Sequence, residues 1–468
     1  MSVFKLRLLP HAVLLALYGS ALAFAPAAQA QTTDAPSAPT AQNQDQVIPS
    51  VSVVGSRRVG NASSTDTAVP VDFIPMTKAT EQGGQFDLAQ VLNNVSPSFN
   101  STRQTGADGA DLVDSAALRG LGSDQTLVLV NGKRRHTVAL VNLFGARNRG
   151  NTGTDMNAIP LMAIRNVQVL RDGAAAQYGS DAIAGVINIV LKKGATDTQL
   201  SASAGTTSEG DGDTYTASAH KGFALGADGG YLNLSVEGRR RNETNRAGVD
   251  TLRVDPPRVT QRIGDSLAKD GYVWMNASLP VGSGELYTFG GASKRRGDSG
   301  GFYRSAGDDR NVPALYPNGF LPNIVTTVKD ASLGVGYRHD LTGDWSVDLS
   351  VNHGRSELGF HERNSVNVSY YYENGSSPTS ADTGKLKFDQ TTLNLDFKGS
   401  VDFAGAPLYI GTGFEWRRDN YQIEAGDPVS YQYGRTNDPR KVILNQNGGI
   451  AASGIQGFPG YTPGTEVD

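Results

Sequence analysis

The residues able to do chemistry are few and scattered. The 468-residue chain has six His and no Cys. Neither H-E-x-x-H nor G-x-S-x-G occurs, so neither a zinc-hydrolase helix nor a nucleophile elbow is written into it. No close His/Asp/Glu cluster has metal-ligand spacing. An enzymatic reading has no constellation to stand on, and neither a metal nor a cofactor is expected. What remains is binding chemistry. Arg103 sits in the polar stretch Asn100–Ser115, and Arg147 and Arg149 in Val141–Asn157. The second stretch lacks a strong period and is long for a connection, which marks function or disorder. Guanidinium groups in such loops suit either an anionic ligand or ordinary solvated charge. Arg171 and Asp172 differ, because apolar strand positions flank them. They suit a structural ion pair or turn cap better than ligand contact.

The elements that would position these groups fall into two architectures. Arg165–Lys193 (RNVQVLRDGAAAQYGSDAIAGVINIVLKK) holds two β-branched-rich runs, Val167–Leu170 and Val186–Leu191, around a turn-rich centre with Gly173, Gly179 and Gly185. Short apolar runs bounded by glycines predict buried strands. The glycines supply tight turns or close backbone approach. Upstream, VPVDFIP predicts a strand, and Phe86–Val95 a helix with Phe86, Ala89, Leu92 and Val95 on one face. Leu127–Lys133 predicts a strand entering an Asn-Gly hairpin turn. Together, residues 59–195 read as one small α/β domain.

The N-terminus precedes it in two parts. Met1–Ala30 has a positive start (Lys5, Arg7), an apolar stretch Ala12–Ala25 and Ala28-Gln29-Ala30, the pattern of a cleaved secretory signal. The apolar stretch is short for the roughly 20 residues of a spanning helix. Residues 31–58 read as a polar, aperiodic tail ending in the β-prone VIPSVSVVGSRR. That segment is either an edge strand of the next domain or a displayed strand for a partner to pair with. The formal net charge of -4 leaves no electrostatic footprint for nucleic acid.

After Thr196 the period becomes two, as in Tyr231–Glu237, Trp345–Asn352 and Leu408–Arg417. One greasy and one wet face predict half-buried strands. Nine are expected, near 198–207, 214–222, 231–240, 272–280, 285–295, 331–340, 345–355, 386–398 and 408–423. Short turns at Ala227–Gly230, Val281–Gly284, Leu341–Asp344 and Ser400–Pro407 alternate with long polar loops at Arg241–Gly271, Arg296–Lys329 and Ser356–Lys385. Such one-sided loops are the mark of an outer-membrane barrel. Tyr287, Phe289, Trp345, Trp416 and Tyr421 near strand ends would suit its aromatic girdles. Single-chain bacterial barrels use even strand numbers, and only about 22 strands leave room for a folded plug. The sequence is therefore expected to be an N-terminal piece of a longer chain.

In this order the motifs resemble one family. ALRGLGSDQTLVLVNGKR (Ala117–Arg134), VQVLRDGAAAQYGSDAIAGVINIV (Val167–Val190) and GFEWRRDNYQIEAGDPVSY (Gly413–Tyr431) are similar to segments of TonB-dependent outer-membrane receptors. The resemblance covers essentially all of residues 31–468. It implies a small α/β plug domain followed by antiparallel transmembrane β-barrel strands, here a partial barrel over 196–468.

The resemblance also implies roles. Val51, Ser52, Val53 and Val54 match the TonB box, the strand that pairs with a TonB-type energy-transducing protein of the inner membrane. Arg103, Gln104, Phe144, Arg147 and Arg149 become candidates for substrate-facing plug loops. Arg119, Gly120, Arg171, Asp172, Gly173, Tyr178, Gly179, Asp181, Gly185 and Asn188 become candidates for plug structure. The implied function is active import of a scarce nutrient, of siderophore, cobalamin or oligosaccharide class, into the periplasm. The chain would sit in the outer membrane of a Gram-negative bacterium, in contact with its lipid. Tyr370, Tyr371 and Tyr372 beside Asn374 suggest a surface that could stack sugars or catechols. A passive porin would lack the folded N-terminal domain. A surface receptor or adhesin would keep the loops but dispense with the coupling strand.

Overall fold

The computed structural model describes residues 71–464 apart from 84, 102, 107, 143–145, 172–177 and 439. The expected signal peptide, tail and TonB box (Val51, Ser52, Val53, Val54) lie outside the described residues, as do Phe144, Asp172 and Gly173.

A five-stranded sheet forms the first unit. It is built of β1 (Val71–Pro75), β2 (Thr126–Val130), β3 (Lys133–Arg134), β4 (Ile164–Leu170) and β5 (Gly185–Leu191) in the order β1-β4-β5-β2-β3. Only β2 and β5 run parallel; the other pairs are antiparallel. The two apolar runs of 165–193 are the central strands β4 and β5. Between them Gly185 adopts φ +139°, and a Cβ there would lie 2.5 Å from the Leu170 carbonyl oxygen. Here a glycine is required.

Helices α1 (Met76–Gly83) and α2 (Leu88–Val95) cover one face of this sheet. The expected helix over Phe86–Val95 starts two residues later. Asp87 is the N-cap and accepts a hydrogen bond from Gln90 N, satisfying a donor that the first turn leaves open. Phe86 therefore leaves the helical face, and its ring lies against Gly205 of the neighbouring wall.

Nine strands make that wall, a single antiparallel sheet in sequence order. They are β6 (Gln199–Gly205), β7 (Thr214–Leu225), β8 (Gly230–Arg241), β9 (Leu267–Val281), β10 (Gly284–Gly300), β11 (Asn323–Asp340), β12 (Ser346–Arg363), β13 (Ala381–Phe403) and β14 (Ala406–Glu424). All nine expected strands are present, but β10 to β13 run well into the segments expected as loops. Those extensions rise beyond the outer apolar band: their outer face turns charged with Lys294, Arg296 and Lys329, while their inner face packs Ile324, Val328, Leu358 and Phe360 into a cluster with Leu112 and Leu140 of the first unit. The turns are tight at one end: Gly282–Ser283 joins β9 to β10, and Ala404–Gly405 joins β13 to β14, with φ +52° and +81° at the latter pair. Long segments, 242–266, 301–322 and 364–380, gather at the other end.

Residues opposed in register share a face. Val236, Val273, Leu333, Val335, Leu349, Val351, Phe414 and Trp416 are exposed on the outer face and form an apolar band. The inner face carries Asn233, Ser235, Asn276, Asn352 and Asn394. Three of the aromatics expected in girdles point inward instead. Phe289 and Tyr287 fill space left by Gly334 and Gly336, and Tyr421 hydrogen-bonds the first unit. Strand parity decides this: each sits an odd number of residues from the outward positions of its strand.

Candidate functional site: the plug–wall interface

The β2–β3 hairpin turns at Asn131 and Gly132, with φ +50° and +83°. The primed-turn geometry expected of Asn-Gly is thus observed. Asn188, from the middle of β5, fixes the turn. Its Oδ1 accepts from Gly132 N at 2.9 Å, while its Nδ2 donates to Gln168 Oε1 at 3.0 Å. The turn delivers four successive basic residues to the wall.

Lys133 Nζ donates to Asp348 at 3.1 Å and to Asp396 at 2.9 Å. Arg134 reaches Asp181 at 2.6 Å and Glu415 at 3.2 Å, and Arg417 meets the same Asp181 oxygen at 2.8 Å. Arg135 pairs with Asp330, and His136 Nε2 lies 2.9 Å from the other Asp330 oxygen. Arg135 also lies over the ring of the buried Trp274, 5.4 Å from its centroid. Farther along, Ala139 N donates to Ser356 Oγ and Ala139 O accepts from Tyr421 Oη, both at 3.1 Å.

A second cluster ties the helical side. Arg103 pairs with Asp87 and lies 3.1 Å from Asp265 and 3.9 Å from Asp114. Arg239 donates to Phe86 O at 2.7 Å and meets Asp270 at 2.7 Å. Arg295, fully buried, donates to Leu112 O at 2.8 Å and pairs with Asp155.

Burial and pairing compete on the plug side of these contacts. Burial alone would push the Asp87 carboxyl up, but Arg103 and Arg239 more than reverse it and hold it below the usual range. At Asp114 burial prevails over Arg103 and raises the carboxyl to about 6. Burial pushes Lys133 down, yet Asp348, Tyr287 and Asp396 leave its ammonium more basic than usual. Burial, with Arg135 beside it, holds the His136 imidazole below its ordinary value despite Asp330. His136 is therefore neutral at pH 7, and Arg135 is the charge that faces Asp330. The arrangement holds one folded unit against another through desolvated charge pairs, which are costly to break singly, beside an apolar cluster of Leu112 and Leu140 with Ile324, Val328 and Phe360.

Most expected site residues can be placed. Arg103 is spent on three carboxylates and is not open to a ligand, contrary to its expected place on a substrate-facing loop. Its high charge density finds acids nearer than solvent. Gln104 accepts from Arg147 N, so the two polar loops meet; Arg147 and Arg149 are both exposed. Arg119 and Gly120 form a turn with φ +55° and +74°, where Gly120 N donates to Asn100 at 2.8 Å. Arg171 pairs with Asp72 across β1 and β4 at 3.0 Å. Tyr178 packs on the outer sheet cluster, and Gly179 turns with φ +89°. Tyr371 and Tyr372 are partly buried against Val312, Phe320 and Val368, so packing takes much of the surface expected for stacking.

Sequence reasoning missed Arg135, His136, Arg295 and Asp330. A signal existed in the run KRRH directly after the Asn-Gly turn, but a run of four basic residues reads by default as solvated surface.

Residues 62–186 match the TonB-dependent Receptor Plug Domain family. The probable TonB-dependent siderophore receptor PirA of Acinetobacter baumannii is 43% identical over 76 residues, 16% of this chain and 10% of the relative. The vitamin B12 transporter BtuB of Vibrio cholerae is 31% identical over 194 residues, 42% of this chain and 28% of the relative. Matched regions thus span well under two thirds of these curated relatives. The crystal structure of the A. baumannii siderophore receptor PirA superposes with a TM-score of 0.53 at 18% identity, covering 75% of this chain and 48% of that one. That of PiuA from the same organism gives 0.50 at 15% identity, covering 83% and 48%. A plug sheet seated on an antiparallel wall with an apolar outer band defines the class: a plugged outer-membrane barrel. Residues 62–186 are thus a TonB-dependent receptor plug domain, and the chain as a whole shares the fold of the siderophore receptors on which it superposes.

Proposed function

We propose that the protein captures a scarce small nutrient at the cell surface and imports it to the periplasm, driven by a TonB-type protein of the inner membrane. The observation that carries this reading is the plug–wall interface. Its ion pairs and hydrogen bonds can be exchanged for water when the plug is pulled, and beside them Leu112, Val138 and Leu140 of the plug share an apolar cluster with Ile324, Val328 and Phe360 of the wall. Coupling falls to Val51–Val54, which would pair with the partner's strand through main-chain hydrogen bonds. Residues 1–30 would be removed on export, 31–58 would hang in the periplasm, 59–195 would form the plug and 196–468 part of the barrel.

The nutrient belongs to the siderophore, cobalamin or oligosaccharide classes. Relatives named as siderophore receptors and as a vitamin B12 transporter favour the first two. The plug loops around Gln104, Phe144, Arg147 and Arg149 would meet it first, and no covalent chemistry is required. The relatives give no support to an adhesin without energised transport. The experiment deletes Val47–Val54 from the full-length protein and measures binding and uptake separately. Retained binding with lost uptake is the expected result; unchanged energised uptake would reject the coupling.

A further inference from the structure

Part of the segment that follows β14 returns across the end of the wall where the long segments gather. Residues 455–461 run from a bridge between Ile455 and Asn367 to Tyr461, whose N–H donates to Thr383 O at 3.0 Å. Between these ends Gln456 N donates to Val366 O at 3.1 Å, and Gln456 O accepts from Ser365 Oγ. Phe458 stacks on Phe360 of β12 with ring centroids 4.4 Å apart, and Tyr461 meets Phe458 edge-on at 5.7 Å. Beneath them lies the plug. Phe458 shares an apolar cluster with Ala110, Leu112 and Leu140, and the Phe360 ring leaves no room for a Cβ at Gly109. Residues 455–461 thus form a strap over the plug apex.

Under the strap lies a carboxyl group without a cation. Glu362, next to the upper end of β12, is fully buried. Its Oε1 accepts from Phe458 N at 3.1 Å, while Oε2 has no hydrogen-bond partner among the described residues. The strap crosses directly over that free oxygen: Gly457 has φ +116°, and a Cβ there would collide with Oε2. Arg304 of the 301–322 segment is the mirror case. It is buried, its Nε has no partner among the described residues, and its Nη1 is spent on Phe302 O at 2.8 Å. Arg304 and Glu362 act on each other electrostatically, yet no salt bridge joins them among the described residues. Burying an unpaired carboxylate is costly, and a carboxyl group avoids that cost by keeping its proton.

We infer that residues 455–461 are a gate over the plug apex, latched by Glu362 as a carboxylic acid: loss of its proton to solvent releases Phe458, and the carboxylate pairs with Arg304 instead. One acid thus has two exchangeable partners, the Phe458 N–H when the gate is shut and the guanidinium when it is open. The inference rests on the outer-membrane reading of the wall but not on energised transport. Glu362 stands above the outward Lys329–Glu357 pair, clear of the apolar band. Burial, with Asp108 and Asp298 adding like charge, pushes its carboxyl well above the ordinary 4.5 despite the Phe458 N–H and Arg304. The shut gate therefore binds the proton more readily than the open one. Closure is firmest below about pH 4.5 and weakens as pH rises toward the raised value. The other charges around Glu362 have their own neighbours. Asp298 of β10 is held by Arg262 and Arg363, and Arg304 stands near Asp308 and Arg310. Tyr461 of the strap stays neutral, since burial raises its phenol. Asp108 of the plug apex, raised by burial and Asp111 to about 6, is a second acid that titrates nearby.

The test is hydrogen exchange read by mass spectrometry on the full-length protein in detergent micelles, at about pH 5 and about pH 8. Rates are corrected for the intrinsic pH dependence of amide exchange. Protection of residues 455–461 in the wild type should fall about tenfold or more across this range, one titrating group allowing up to about tenfold per pH unit. Protection of α2 should stay constant. Glu362→Gln keeps a neutral acceptor for Phe458 N and should hold the strap equally at both pH values. Arg304→Gln removes the partner of the open state, so its protection should fall less than that of the wild type. Asp108→Asn should fall as the wild type does. A further variant, Gly457→Ala, drives a methyl group into Oε2 and should leave the strap unprotected at both pH values. Heat-modifiable migration on gels reports folding of each variant. Equal wild-type protection at the two pH values overturns the inference, as does a fall in Glu362→Gln as large as in the wild type. Wild-type protection in Gly457→Ala overturns it too. A fall abolished by Asp108→Asn overturns the assignment to Glu362, and an undiminished fall in Arg304→Gln overturns the exchange of partners. None of these readouts uses uptake, so failure of the transport reading leaves them standing.

Discussion

Arg135 of the plug and Asp330 of strand β11 form an ion pair closed to solvent, their side chains 3% and 5% exposed. Such a pair is expensive to break from one side, because the survivor keeps its charge without water or partner. It can nonetheless be exchanged as a unit when the whole hairpin leaves the wall. That combination, firm at rest and separable as a unit, is the physical content of the seat.

Asp330→Asn therefore should destabilise plug seating by about 3–5 kcal/mol, the cost of an orphaned buried charge. Arg135→Met combined with Asp330→Leu should recover most of the loss, since an apolar pair of similar volume is often neutral. Urea-induced exposure of the plug to protease measures both, and equal losses in the single and double variants would contradict the buried-pair account.

Acidification should loosen the same contact through His136. Its folded pKa lies below the ordinary 6.5, so the unfolded hairpin binds the proton more readily than the seated one. The His136 contribution is complete above about pH 6.5 and is lost as pH falls below that value. Asp114, raised to about 6, acts in the opposite sense, its penalty growing as pH rises toward 6. Comparing wild type with His136→Gln cancels the Asp114 part. The variant should lose less stability than the wild type between pH 6.5 and 5, as read by protease protection at each pH.

Two glycines with positive φ should respond differently to alanine. At Gly185 a Cβ would meet the Leu170 carbonyl, whereas at Gly194, φ +79°, nothing lies within 4 Å. Gly194→Ala should cost about 1–2 kcal/mol from left-handed strain alone. Gly185→Ala adds a backbone clash between central strands and should give little folded protein. Yields of heat-modifiable receptor compare the two directly.

Asn188 offers a separate test of the hairpin. Asn188→Ala removes the acceptor of the Gly132 N–H at a turn that stands partly in solvent, a loss of about 0.5–1.5 kcal/mol, the net worth of one hydrogen bond. Hydrogen exchange at Gly132 and Lys133 should speed up while that of β1 stays unchanged.

Much of this architecture was legible because it rests on local rules. Glycine-bounded apolar runs fixed β4 and β5, Asn131-Gly132 announced its hairpin, and period two marked all nine wall strands. Strand ends above the band were not legible, since Arg296–Gly300 and Asn323–Lys329 pair without amphipathic contrast. The seat was hidden for a different reason. Lys133–His136 and the wall acids they meet lie 194 to 281 residues apart in sequence, and only the register of the wall brings Asp330, Asp348, Asp396 and Glu415 to one hairpin. The misplacement of Arg103 has the same origin, because Asp265 is 162 residues away.

The central claim is that the plug must leave this seat for the nutrient to pass. Asn131 of the hairpin and Asn276 of β9 hydrogen-bond side chain to side chain at 3.1 Å, and the chain has no native Cys. Asn131→Cys and Asn276→Cys, joined by a short reducible dithiol cross-linker in the full-length receptor, lock the hairpin to the wall. The account predicts normal nutrient binding, no energised uptake while the link is intact, and uptake restored by reductant. Uptake at the uncross-linked rate with the link intact would contradict it.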